Sequence, residues 1–91
     1  MKKFIIERNI PKIGTFDQSA LQTASGQSCD ALKQIGPQVQ WVESYVTADK
    51  TFCVYLTENE DFIKQHAEIS GFPANKITEV LTMISPVTAA N

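Results

Sequence analysis

The segment "VQWVESYVTADKTFCVYLT", residues 39–57, constrains this chain more than any other. Two runs rich in Val, Tyr, Trp, Phe and Thr flank the short polar connection "TADK". β-Branched and aromatic side chains suit a pleated, half-buried surface. A connection this short joins two such strands only as an antiparallel hairpin. The hairpin sits mid-chain, so one flanking segment on each side must complete the sheet.

On the N-terminal side, "KKFIIERNI" alternates Phe4, Ile6, Arg8 and Ile10 with Ile5, Glu7 and Asn9, and it ends at Pro11. This pattern predicts a strand, followed by a loop at "PKIGT". Residues 17–35 place Leu21, Ala24, Ser28, Leu32 and Ile35 on one helical stripe. Thr15 with Gln18, or Asp17, can cap the start, and Gly36 followed by Pro37 stops the helix. After the hairpin, "TENE" reads as a capping box, with Thr57 as N-cap and Glu60 three residues on. A second helix is predicted over 58–70, ended by Gly71 and Pro73. "NKITEVLTMI" alternates as a last strand, and residues 87–91 form a tail. Residues 1–86 are then a single domain.

The predicted order is β-α-β-β-α-β, an α+β chain of the ferredoxin-like kind. Right-handed crossovers place both helices on one face of a four-stranded antiparallel sheet, with spatial strand order 4-1-3-2. Several strands are apolar on both sides: Phe4/Ile6 and Ile5, Val42/Val46 and Trp41, Val80/Ile84 and Leu81/Met83. A sheet with one wet face alternates more cleanly than this. No spare element covers the second face, so a second copy is expected there, sheet on sheet, as a homodimer.

The 91 residues carry a net charge of −2 with a pI near 5.2, and the eight Lys and Arg are scattered. This argues against nucleic-acid binding, which needs a concentrated basic face. No apolar run approaches the roughly 18 residues of a membrane span. "FII" runs straight into Glu7 and Arg8, so no secretory h-region is read there. Cys29 and Cys53 lack CxxC spacing and read as free thiols in a cytoplasmic protein, with a single disulfide as the alternative that geometry decides.

Polar residues interrupt the hydrophobic pattern. His66 is the single histidine. With Phe62 at zero on a helical wheel, it falls about 40° away, on the stripe facing the sheet. Neutral imidazole serves there as a hydrogen-bonded core group, a metal ligand or a proton carrier. Glu43 and Tyr45 share a strand face with Trp41; Cys53 and Tyr55 share a face of the next strand. A three-residue hairpin loop points all four to one side, and a two-residue loop points the pairs to opposite sides. Glu7 sits mid-strand, where a buried carboxylate would need a partner or a metal. His66, Glu43 and Glu7 are the candidate metal ligands, and Tyr45, Cys53 and Tyr55 the candidate ligand-binding residues.

"WVESYVTADKTFCVY", "HAEISGFPANKITEV", "IIERNIP" and "SCDALKQIGPQVQW" together resemble a family of small bacterial domains of unknown function whose named example is a nickel-binding protein. The resemblance spans about residues 3–86. It implies a ferredoxin-like fold that dimerises, as a dimeric α/β barrel, with a site for a divalent metal, nickel in the named example. The carried-over positions are Glu43, Ser44 and Tyr45, Cys53 and Tyr55, and His66. The expectation is a homodimer that holds a divalent metal or small ligand in a polar cavity between helices and sheet. The alternative is a cofactor-independent oxygenase- or isomerase-like enzyme with His66 as acid or base.

Overall fold

Alternation decides where the first strand's side chains go, and the rest of the core follows from it. The computed structural model describes residues 1–90. Strand β1 (Lys2–Asn9) buries Phe4, Ile6 and Arg8 on one side and turns Lys3, Ile5 and Glu7 to the other. It lies between β3 (Lys50–Thr57) and β4 (Lys76–Val80), antiparallel to both. The hairpin partner of β3 is β2 (Val39–Val46), at the sheet edge. The order β2-β3-β1-β4 is the expected one, and it is consistent with a ferredoxin-like fold.

Helices α1 (Gln18–Ile35) and α2 (Asp61–Ser70) cover the face bearing Phe4, Ile6, Cys53 and Tyr55. Leu32 and Ile35 from α1 and Phe62 and Ile63 from α2 close this core. The cap of α1 is Asp17, whose carboxylate accepts from Ala20 N at 2.8 Å. Gly71, at φ 82°, ends α2 in the left-handed conformation that glycine adopts without strain. Cys29 is exposed and Cys53 buried; both are free thiols. Among the described residues no helix is long and apolar enough to cross a membrane.

Four local expectations change. The capping box at "TENE" does not form. Thr57 is the last residue of β3, fully buried, and its hydroxyl donates to Gln38 O at 2.7 Å. The helix therefore starts at Asp61, whose N–H is taken by Asn59 Oδ1. The last strand stops at Val80, opposite Lys3, because β1 has almost no residues left to pair with. Leu81, Met83 and Ile84 leave the sheet, Leu81 at 90 % exposure. Within the expected tail, Pro86–Ala89 form a one-turn helix, α3, capped by Ser85; residue 91 lies outside the described residues.

The loop at "PKIGT" is also more structured than expected. Ile13–Thr15 make a 3-10 turn against the hairpin tip. Ile10 N and Gly14 N donate to Asp49 O and Ala48 O at 3.0 and 2.9 Å. A Cβ on Gly14 would lie 2.8 Å from Ala48 Cα, so only glycine allows this approach. The clamp holds Ile10 and Ile13 at the end of the sheet.

Candidate functional site

The hairpin's register places its polar residues. Val46 pairs with Thr51, Tyr45 with Phe52 and Glu43 with Val54, while Trp41 pairs with Tyr55. Thr47 N donates to Lys50 O, leaving Ala48 and Asp49 at the tip. This is the two-residue alternative. Val42 is then an extra residue, a β-bulge between Trp41 and Glu43. The bulge resets the alternation, so Trp41 and Ser44 face the same way, and Trp41 Nε1 donates to Ser44 Oγ at 2.9 Å.

The candidate residues are therefore split between two faces. Cys53 and Tyr55 lie on the helix side, buried, with His66 above them on α2. Glu43 and Tyr45 lie on the open face, where the Tyr45 hydroxyl donates to the Glu43 carboxylate. That hydrogen bond, with the charge behind it, holds the Tyr45 phenol above its ordinary value. Glu7 is also on the open face, half-buried, paired with Lys50 at 3.7 Å and Lys76 at 4.0 Å. Strand β3 separates it from β2. The expected single cavity lined by His66, Glu43, Tyr45 and Tyr55 is thus not assembled within one chain.

What the fold assembles on the helix side is a buried polar cluster: Arg8, Ser28, Tyr55 and His66. Arg8 is 3 % exposed and His66 0 %. Arg8 Nη1 donates to Pro73 O at 3.0 Å and Phe72 O at 3.3 Å. Its Nη2 lies 3.5 Å from both Tyr55 Oη and His66 Nδ1. His66 Nε2 lies 3.1 Å from Ser28 Oγ and 3.3 Å from Ser28 O. A carbonyl can only accept and a guanidinium can only donate. The imidazole is therefore the neutral tautomer with its proton on Nε2 and its lone pair on Nδ1 facing Arg8. Burial, with the Arg8 charge added, pushes the His66 pKa below its ordinary value; the Ser28 carbonyl opposes this in part. Burial likewise pushes the Tyr55 phenol up, against the Ser28 hydrogen bond and Arg8. Both groups are neutral at pH 7.

Beside this cluster lies a cavity of about 90 Å³ between α1, the 3-10 turn and strands β1–β3. Arg8, Ser28, Ser44, Thr51, Cys53 and Tyr55 supply its polar wall. Leu21, Ala24, Trp41 and Phe72 supply much of the apolar remainder. Ser25 and Val46, both exposed, mark its mouth between α1 and β2. His66 stands one layer behind the wall, so it has no direct reach to a molecule in the cavity.

Sequence patterning alone does not single out Arg8 as a site residue. Its signal is its place in Phe4-Ile6-Arg8, a charge on the buried side of an alternating strand. Ser28, in the middle of the apolar stripe of α1, carries the same kind of signal.

A divalent cation does not fit this interior. Next to the one imidazole stands a guanidinium that repels it, and Nε2 is committed to Ser28. Among the described residues no three His, Cys, Asp or Glu side chains are placed to hold a metal ion. His66, Glu43 and Glu7 do not converge, because the sheet lies between His66 and the two carboxylates.

No curated protein matches the sequence. Among solved structures, the crystal structure of SCO4226 from Streptomyces coelicolor A3(2) superposes with a TM-score of 0.74 at 14 % identity. The match covers 90 % of this chain and 99 % of that one, so the two share their fold. A family model described as nickel responsive protein SCO4226-like matches residues 4–80, and this chain belongs to that family.

Proposed function

We propose that this protein is a homodimeric binding protein, whose two copies pack open sheet face on open sheet face and each take a small molecule into the cavity between α1 and the sheet. The observation that carries the reading is the cavity: polar groups that are buried, mutually positioned and turned toward a space, with an apolar wall opposite them. The dimer rests on the open face, where Ile5, Val42 and Tyr45 are exposed and Phe52, Val54, Leu56 and Val80 are half-buried, with no element among the described residues over them. Cys53 and Tyr55 are the ligand-binding residues of the cavity, with His66 as the support that orients Ser28 and Arg8.

Native mass spectrometry of the untagged protein reads assembly and bound mass together. A dimer with added mass on each chain is expected. Ala24→Phe, which fills the cavity from α1, is expected to remove the added mass and leave the dimer. A monomer would refute the assembly, and added mass that survives Ala24→Phe would refute the cavity.

The family's description favours a second reading, in which this chain binds a divalent metal, nickel foremost. Glu43, Tyr45 and Glu7 are oxygen donors on the face that a partner would cover, so such a site draws on both copies. Oxygen donors of this kind hold divalent ions without selecting nickel strongly. Nickel titration by calorimetry on untagged protein separates the readings. Stoichiometric uptake that is lost in Glu43→Gln and kept in His66→Gln supports an open-face site. Uptake lost only in His66→Gln contradicts it.

A further inference from the structure

Among the described residues the cavity is lined by one fixed positive charge, Arg8, and by no acidic side chain. Arg8 forms no ion pair among the described residues. Each of its hydrogen-bond partners is neutral: two backbone carbonyls, a phenol and an imidazole lone pair. A guanidinium does not deprotonate in a protein, and a buried charge is costly unless paired. The other oxygen groups on its lining are the hydroxyls of Ser25, Ser28, Ser44, Thr51 and Tyr55, each able to donate as well as accept. With Ser28 Oγ accepting from His66 Nε2–H, the Ser28 hydroxyl proton is directed to Tyr55 Oη or outward. Tyr55 Oη lies 3.5 Å from Arg8 Nη2 and 3.5 Å from Ser28 Oγ, so one of the two hydroxyl protons joins Ser28 to Tyr55 and the other can turn to a ligand. The lining therefore pairs one fixed positive charge with hydroxyls, and it includes no Asp or Glu side chain.

We propose that the cavity is a site for a small monocarboxylate, with the carboxylate on Arg8, Tyr55 and Ser28 and a short apolar body against Leu21, Trp41 and Phe72. A single negative charge matches the single guanidinium; a phosphate dianion would leave excess charge among apolar walls. Carboxylate oxygens accept charge-assisted hydrogen bonds from a guanidinium, the strongest donors available here. The cavity, at about 90 Å³, is smaller than the ~150 Å³ that accommodates benzene in an engineered core, so the body is a few carbons long. This assignment rests on the cavity reading above and adds the chemical class of the ligand.

The test uses the full untagged chain and its single tryptophan, Trp41, which lines the cavity. Trp41 fluorescence is followed while butyrate, butyramide or inorganic phosphate is added at constant ionic strength. Saturable binding of butyrate is expected, with butyramide roughly tenfold or more weaker, as for loss of a hydrogen bond to a charged group. Arg8→Gln is expected to abolish the preference for the acid. Tyr55→Phe, which keeps the ring and the core volume, weakens butyrate less and supplies a folded variant should Arg8→Gln fail to fold. Equal affinity for butyrate and butyramide would overturn the anion site and leave the cavity reading standing. No response to either would overturn both. Phosphate binding as tightly as butyrate would overturn the monocarboxylate in favour of an inorganic oxyanion.

Discussion

The face of the sheet that carries Phe4, Ile6, Cys53 and Tyr55 and the face that carries Ile5, Phe52, Val54 and Tyr45 are built from the same strands, one residue apart. The first is sealed by α1 and α2, and its polar groups are all hydrogen-bonded to one another. The second has no cover among the described residues, and its polar groups, Glu7 and the Glu43–Tyr45 pair, make only exposed or half-buried contacts. The difference is one of desolvation. On the covered face burial pushes the His66 pKa down and the Tyr55 phenol up, and Arg8, Ser28 and Tyr55 line a cavity. Carboxylates on the open face remain ordinary surface charges until something covers them.

The largest predicted effect breaks the covered face. Ile63 is fully buried between α2 and the sheet, so Ile63→Ala is expected to cost about 2–5 kcal/mol in urea unfolding. Val54→Ala, on the open face, is expected to cost well under half of that at concentrations where the protein is monomeric. Equal losses would mean that the two faces are equally covered.

Next in size is the clamp at the sheet end. Gly14→Ala forces a Cβ into the hairpin backbone and is expected to cost about 1–3 kcal/mol by overpacking. Its effect should reach the covered face through Ile10 and Ile13, read as a shift in Trp41 emission. An unchanged spectrum would show that the clamp and the cavity are independent.

A smaller effect depends on pH and belongs to the covered face alone. The native His66 pKa is depressed, so below the unfolded value of about 6.5 the unfolded chain binds a proton that the native chain does not. Stability is therefore complete above that pH and falls as the pH drops toward the native pKa, by at most about 1.4 kcal/mol per pH unit. His66→Gln should flatten this part of the melting-temperature profile between pH 7 and 5. A slope that survives the substitution would assign it to carboxylates instead.

The smallest effect is expected on the open face. Glu7→Gln removes two half-exposed ion pairs, to Lys50 and Lys76, and is expected to cost about 1 kcal/mol or less, diminishing with added salt. A larger, salt-insensitive loss would place Glu7 in a covered environment, such as a dimer seam.

Much of this architecture is legible from local pattern. Alternation identified β1 and the hairpin, the apolar stripe with Gly36–Pro37 delimited α1, and Gly71 marked the end of α2. Element order then dictated the strand order. The start of α2 and the end of β4 were not legible, because each depends on what β1 and β2 have left to pair with. Thr57 looks like a helix cap in isolation and becomes a buried strand end only once Lys2 and Val39 lie on either side of it. The site follows the same division. His66 was placed on the buried side by periodicity, whereas the relation of Glu43 and Tyr45 to Cys53 and Tyr55 depended on the hairpin register, with its bulge at Val42.

By itself, then, the sequence determined the order and kind of the main strands and helices, the apolar stripe of each helix, and that His66 points inward, since these are properties of spacing along one element. Only the tertiary structure decided that Arg8 meets His66, Tyr55 and Ser28 around a cavity while Glu7 and Glu43 stay on the far side of the sheet. Those relations depend on how three strands and two helices align with one another, and a shift of one residue in that alignment exchanges the two faces.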